Sequence, residues 1–207
     1  MLLALESAIR TQHERDTSVS YRELVQAVID ENRRVLEAVP EADVQRLIGE
    51  IERAKTIQLY AMGRMQASMR GFAMRLKHMG FDAYVVFDTT TPVIGAGDLL
   101  IVNCAVTAVE LNVIKLAKQA GARVCTIGAH PENEHGLLAD LAVLVPGQIF
   151  GTPPEVRSIQ PMASLLEQAL FLFEDIVVML LIEKRGVSMA EMQRRHTNLE
   201  GVMGEFA

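Results

Sequence analysis

The run Leu99-Leu100-Ile101-Val102-Asn103-Cys104 decides the fold. Four apolar residues stand together where a half-exposed strand would alternate apolar and polar. Such a run reads as a strand covered on both faces, which is how a parallel sheet is built. Ala142-Val143-Leu144-Val145 reads the same way. Working outward, short β-branched runs fall at 56–61, 83–87, 99–104, 124–127 and 141–145. Helical stretches at 66–79, 107–120 and 134–140 separate most of them. Strand, helix, strand order implies right-handed crossovers and a doubly wound sheet. Gly80 and Gly121 follow two of these helices directly, where C-terminal caps belong.

On either side the sequence turns helical. Within residues 1–54, Leu2, Leu3, Leu5, Ala8 and Ile9 share one helical face. Ser20-Tyr21-Arg22-Glu23 is a capping box: the serine hydroxyl takes a free backbone N–H, and the glutamate reaches back to the serine amide. The helix it opens should bury Leu24, Val28, Val35 and Leu36. Pro40-Glu41 opens another, because proline loses nothing in a first turn. Beyond the core, 147–160 (GQIFGTPPEVRSIQ) is a loop. An apolar helix follows over 161–184 and stops at Gly186. A second capping box, Ser188 to Glu191, opens a last helix carrying Arg194, Arg195 and His196. The expected organisation is one domain: N-terminal helices over 1–54 that pack on it and serve oligomerisation, an α/β core over 55–147, and a loop with C-terminal helices over 148–207.

The composition narrows the function. The 207 residues carry a formal charge of −6, which argues against a nucleic-acid binder. An anionic small ligand remains open, since a local site can be positive on an acidic protein. Cys104 and Cys125 stand apart from any CxxC or His/Cys cluster, so the spacing predicts no zinc site. Two cysteines match a reduced, cytoplasmic protein. The most apolar stretch, 169–182, is interrupted by Glu174 and Asp175 and is shorter than the roughly 20 residues of a membrane span. The apolar residues Leu170, Phe171, Phe173, Val177 and Leu181 read either as an oligomer interface or as ordinary core.

Ligands of an open parallel sheet bind beyond the carboxyl ends of the strands, against helix N-termini. Two loops lie there. Ala61-Met62-Gly63-Arg64-Met65-Gln66 offers Arg64 as a bidentate cation for a phosphate. Asn103-Cys104-Ala105-Val106-Thr107 leads into a helix whose own Glu110 completes a capping box, which lowers its capacity for an outside anion. Glu167 stands in an apolar helical stretch. There it is either a general base tuned by burial or a solvent-facing residue. His196 reads as a solvated histidine on a basic helix.

The order Gly63-Arg64, then Phe72-Ala73-Met74-Arg75-Leu76-Lys77-His78-Met79-Gly80-Phe81, then Tyr84-Val85-Val86, then Thr89-Thr90-Thr91-Pro92 and Gly97-Asp98-Leu99-Leu100-Ile101 resembles the sugar isomerase (SIS) domain family. The segment 161–169 with Glu167 and the ending Arg195-His196-Thr197-Asn198-Leu199-Glu200 resemble its 6-phospho-3-hexuloisomerases most closely. The resemblance implies a three-layer αβα sandwich around a five-stranded parallel, doubly wound sheet, with N- and C-terminal helical extensions. It implies a homotetramer, a dimer of dimers, with active sites at subunit contacts. It implies interconversion of 3-hexulose 6-phosphate and fructose 6-phosphate through an enediolate, with no metal or organic cofactor. Glu167 would be the base, and His196, from a neighbouring subunit, would assist. Gly63, Arg64, Gln66, Thr91, Asn103, Cys104 and Thr107 would bind the substrate and its phosphate. The chain departs from the family where phosphate is held. Ala61 to Gln66 replaces GAGRSG, and Cys104 to Val109 replaces SGSGET. Two readings follow: an isomerase that grips phosphate by other groups, or a degenerate member that binds a different sugar and serves as a regulatory or scaffold module.

Overall fold

The computed structural model describes residues 19–199. Helices α1 (Tyr21–Glu37) and α2 (Glu41–Arg53) precede β1 (Ile57–Tyr60), α3 (Met65–His78), β2 (Ala83–Val85) and β3 (Leu99–Asn103). Then come α4 (Ala108–Gln119), β4 (Arg123–Gly128), α5 (Glu134–Leu138), β5 (Leu141–Leu144), α6 (Ser164–Arg185) and α7 (Met189–Arg194). The five strands form one all-parallel sheet in the order β2-β1-β3-β4-β5. The order reverses between β1 and β3, so the crevice for a ligand opens at the carboxyl ends of those two strands.

Alternate strand residues feed two cores of unequal size. Ile57, Leu59, Leu99, Ile101, Ile127 and Val143 face the helices α1, α2, α3 and α6 in the larger core. Tyr60, Leu100, Val102 and Val124 face α4 in the smaller one. Helices thus cover both faces, the αβα sandwich expected of buried strands such as β1 and β3. β5, at the sheet's edge, instead alternates buried and half-buried residues, so the apolar run at 142–145 is not covered on both faces throughout. Gly147 lets the chain leaving β5 cross α6 closely, since a Cβ there would meet the Leu166 backbone at 2.5 Å.

The capping boxes at Ser20/Glu23, Thr107/Glu110 and Ser188/Glu191 all form. Several boundaries shift for local reasons. β2 ends at Val85 rather than 87, because Phe87 turns the chain at φ 73°. α6 starts at Ser164 rather than 161, because Met162 sits at φ 56°, outside the helical basin. α7 ends at Arg194, so Arg195 caps it and His196 lies beyond it instead of on it. Of the five apolar residues considered for an interface, Leu170, Phe173, Val177 and Leu181 belong to the protein's own core. The exposed stripe of α6 is instead Phe171, Leu172, Ile176 and Met179. On α1, Val35 is buried, but Leu24 is exposed beside Val25 and Ile29. The apolar face at 2–9 and Glu200 lie outside the described residues. Among the described residues, no helix is long and apolar enough to cross a membrane.

Candidate active site

The β1–α3 loop turns at Gly63, with φ 59° and open space where a side chain would stand. That conformation is cheap for glycine and strained for other residues. Arg64 follows as the N-cap of α3. Its Nη1 lies 2.6 Å from Glu167 Oε2 and 3.3 Å from Ser164 Oγ, both in the first turn of α6. Arg64 and Glu167 are distant in the sequence, and the fold joins them in one ion pair. The Arg64 side chain is 65% exposed and that of Glu167 is 17% exposed, so the pair opens to solvent from the cation's side. It stands on the rim of a cavity of about 750 Å³ between α1, α3 and α6, lined also by Asn32, Leu36, Ser68 and Phe171.

The other loop is already filled. Glu110 is fully buried, and its carboxylate accepts the N–H of Ala105 at 3.0 and 3.1 Å and that of Thr107 at 2.8 Å. These bonds bracket Val106, a β-branched residue held at φ 63°, a conformation that costs on the order of 1–3 kcal/mol. Thr107 Oγ1 accepts the Glu110 N–H at 3.3 Å and donates to Met62 Sδ at 3.1 Å. The positive end of α4 therefore holds an internal anion. The first turn of α3 carries no acidic residue, so its positive end keeps that capacity.

The remaining proposed ligands are engaged within the protein. Gln66 Oε1 accepts the Ala61 N–H at 3.0 Å and braces the β1–α3 loop. Thr91 Oγ1 donates to the Val85 carbonyl at 2.6 Å and lines a separate crevice between α3 and β2. Cys104 is buried, and burial first, then the Glu110 charge, push its thiol up to about 12. Asn103 is wholly buried, and its Nδ2 donates to Ser68 Oγ at 3.1 Å and Glu174 Oε1 at 2.5 Å. Glu174 is the residue that sequence reasoning missed. It is 2% exposed, and burial pushes its carboxyl up to about 8 against the opposing bonds from Asn103 and Ser68. The signal was an acidic residue inside an apolar stretch, one heptad after Glu167.

His196 is not beside Glu167 within one chain. Its ring packs on His78 at 4.8 Å between centroids, and Arg195 Nη1 donates to the His78 carbonyl at 3.2 Å. His78 ends α3 and Arg64 starts it. The 14 residues of that helix hold the two ends about 21 Å apart.

A scan of protein-family models finds no match to the chain. Curated relatives do match. A 3-hexulose-6-phosphate isomerase of Bacillus subtilis is 33% identical over 184 residues, covering 86% of this chain and 98% of the relative. One of Mycobacterium gastri is 37% identical over 140 residues, covering 67% and 70%. Among solved structures, a Methanococcus jannaschii protein with an inferred molecular function of 3-hexulose-6-phosphate isomerase superposes with a TM-score of 0.75 at 28% identity, covering 86% of this chain and 99% of that one. With its parallel five-stranded sheet and these relatives, the chain belongs to the 3-hexulose-6-phosphate isomerase family of SIS-domain sugar isomerases.

Proposed function

We propose that this protein interconverts 3-hexulose 6-phosphate and fructose 6-phosphate, with Glu167 as the base. The Arg64–Glu167 pair at the switch point of the sheet carries the reading. The substrate phosphate meets Arg64 and the uncapped end of α3 and draws the guanidinium away from Glu167. A carboxylate relieved of a neighbouring cation is a stronger base. Glu167 then removes the carbon-bound proton beside the carbonyl, an enediolate forms, and the proton returns at the neighbouring carbon.

His196 belongs to the same chemistry only if a second chain supplies it, given its place at the far end of α3. The proposal therefore includes a homo-oligomer, a tetramer built as a dimer of dimers. The exposed apolar residues of α1 and α6 supply surface for it. It also places the protein in the cytoplasm, where phosphorylated sugars are retained by their charge. Glu110 favours a second reading, in which the chain binds a sugar without turning it over, because the α4 end holds a carboxylate.

Incubation with fructose 6-phosphate in heavy water separates the two. The enzyme reading expects deuterium on the carbons that exchange their proton, seen by NMR. Binding without exchange would favour the second reading.

A further inference from the structure

We infer that Cys104, Glu110 and His135 form a binding site for one zinc-class divalent ion, outside the cavity that the Arg64–Glu167 pair borders. The three residues come from the exit of β3, the first turn of α4 and the helix α5. The Cys104 Sγ, a Glu110 carboxylate oxygen and a ring nitrogen of His135 lie within 4.8 Å of one another, and all three residues are buried. Thiolate, imidazole and carboxylate are the donors zinc selects. No spacing in the sequence announces the set, because residues 104, 110 and 135 meet only through the crossover from β3 to α5.

His135 supplies the second observation. Its Nε2 lies 2.8 Å from the Thr107 carbonyl oxygen. A carbonyl only accepts, so the ring proton is on Nε2, and Nδ1 carries a bare lone pair. The residue is 5% exposed, and Nδ1 has no hydrogen-bond partner. Metal-binding histidines have this arrangement: one N–H tied to a backbone carbonyl and the other nitrogen unspent. An unspent buried lone pair is otherwise a cost to the fold.

The other two donors have room for an ion. A carboxylate has about four lone-pair positions. The Ala105 and Thr107 N–H groups make three contacts with that of Glu110, and the Cys104 thiol makes a fourth at 3.9 Å, which is given up to the ion when the thiol loses its proton. As the metal–sulfur bond forms, the Cys104 S–H bond breaks and its proton passes to solvent; Glu110 and His135 give lone pairs without losing a proton. A crevice of about 10 Å³ between Gly128, His130 and Gly136 reaches Cys104. At the smallest size that holds a water, it gives the thiol a path to solvent.

The test uses the whole chain, stripped with a chelator, and the metal alone as probe. Zn²⁺ is titrated by calorimetry and Cd²⁺ by its thiolate-to-metal ultraviolet band. One equivalent of either ion is expected to bind, with the band appearing in step. Cys104→Ser should abolish the band, and His135→Gln should weaken binding at least tenfold. Cys125→Ala should change neither. If Cys104→Ser does not fold, Cys125→Ala decides by itself, since Cys104 is then the sole thiol of a chain with two cysteines. Absence of one-equivalent binding in Cys125→Ala would overturn the site. So would a band that survives Cys104→Ser, or an affinity that survives His135→Gln.

Discussion

Arg64 Nη1 stands 2.6 Å from Glu167 Oε2, and this contact binds the start of α3 to the start of α6 at the edge of the sheet where the strand order reverses. In the proposed mechanism this pair stores a cation for phosphate and a base for carbon acid chemistry together, each masking the other until an anionic substrate divides them.

Arg64→Ala should raise KM for the sugar phosphate by roughly 10–150-fold, the worth of about 1.5–3 kcal/mol for a bond to a charged group. Arg64→Lys should recover part of the loss, because an ammonium offers charge without the planar fork. Steady-state kinetics on both variants checks this; an unchanged KM in Arg64→Ala would place the phosphate elsewhere.

Glu110→Ala should cost about 1–3 kcal/mol by leaving the Ala105 and Thr107 N–H groups unpartnered. The emptied α4 end should then accept an outside anion. Thermal unfolding with added sulfate should stabilise this variant more than the wild type. Equal sulfate dependence would contradict the picture of an internally filled loop.

Glu174 governs a pH dependence of stability. Its carboxyl ordinarily titrates at 4.5 and is pushed by burial to about 8 in the fold. Below 4.5 it is neutral in both states. Between the two values the unfolded chain has shed the proton while the fold keeps it, so this group's stabilisation is lost as pH rises and levels off above 8. Glu174→Gln cannot ionise and still accepts from Asn103 and Ser68. Its stability relative to wild type should climb through that window, by up to about 4 kcal/mol. Urea unfolding at pH 5 to 9 measures the difference; a constant offset would refute it.

Glu167→Gln and His196→Ala should each be inactive alone. Mixed, unfolded and refolded together, they should regain activity, because a site in a hybrid oligomer can draw Glu167 from one chain and His196 from the other. No recovery in a verified hybrid would place His196 outside the chemistry.

The sheet was legible because fully buried strands must be apolar throughout, as Leu99 to Val102 are. The caps were legible because Ser20, Thr107 and Ser188 each stand three residues before a glutamate. The candidates Arg64 and Glu167 could be named from the sequence, but their pairing could not. Nothing local tells that Arg64 and Glu167, 103 positions apart, will meet. Gln66, Thr91 and Thr107 had the right polar groups for phosphate, but each spends them on its own loop, a choice set by backbone geometry that composition does not encode. α6 is apolar on nearly every side, so periodicity could separate neither its core residues from its exposed stripe nor buried Glu174 from half-buried Glu167.

The most direct measurement is turnover of 3-hexulose 6-phosphate to fructose 6-phosphate by the purified protein, beside Glu167→Gln. The wild type should catalyse it, and the variant should fold normally and bind the sugar phosphate while kcat falls by about 10²–10⁴-fold, the range of a lost general base. A wild-type protein that binds the substrate without turnover, or a Glu167→Gln enzyme with undiminished kcat, would contradict the account.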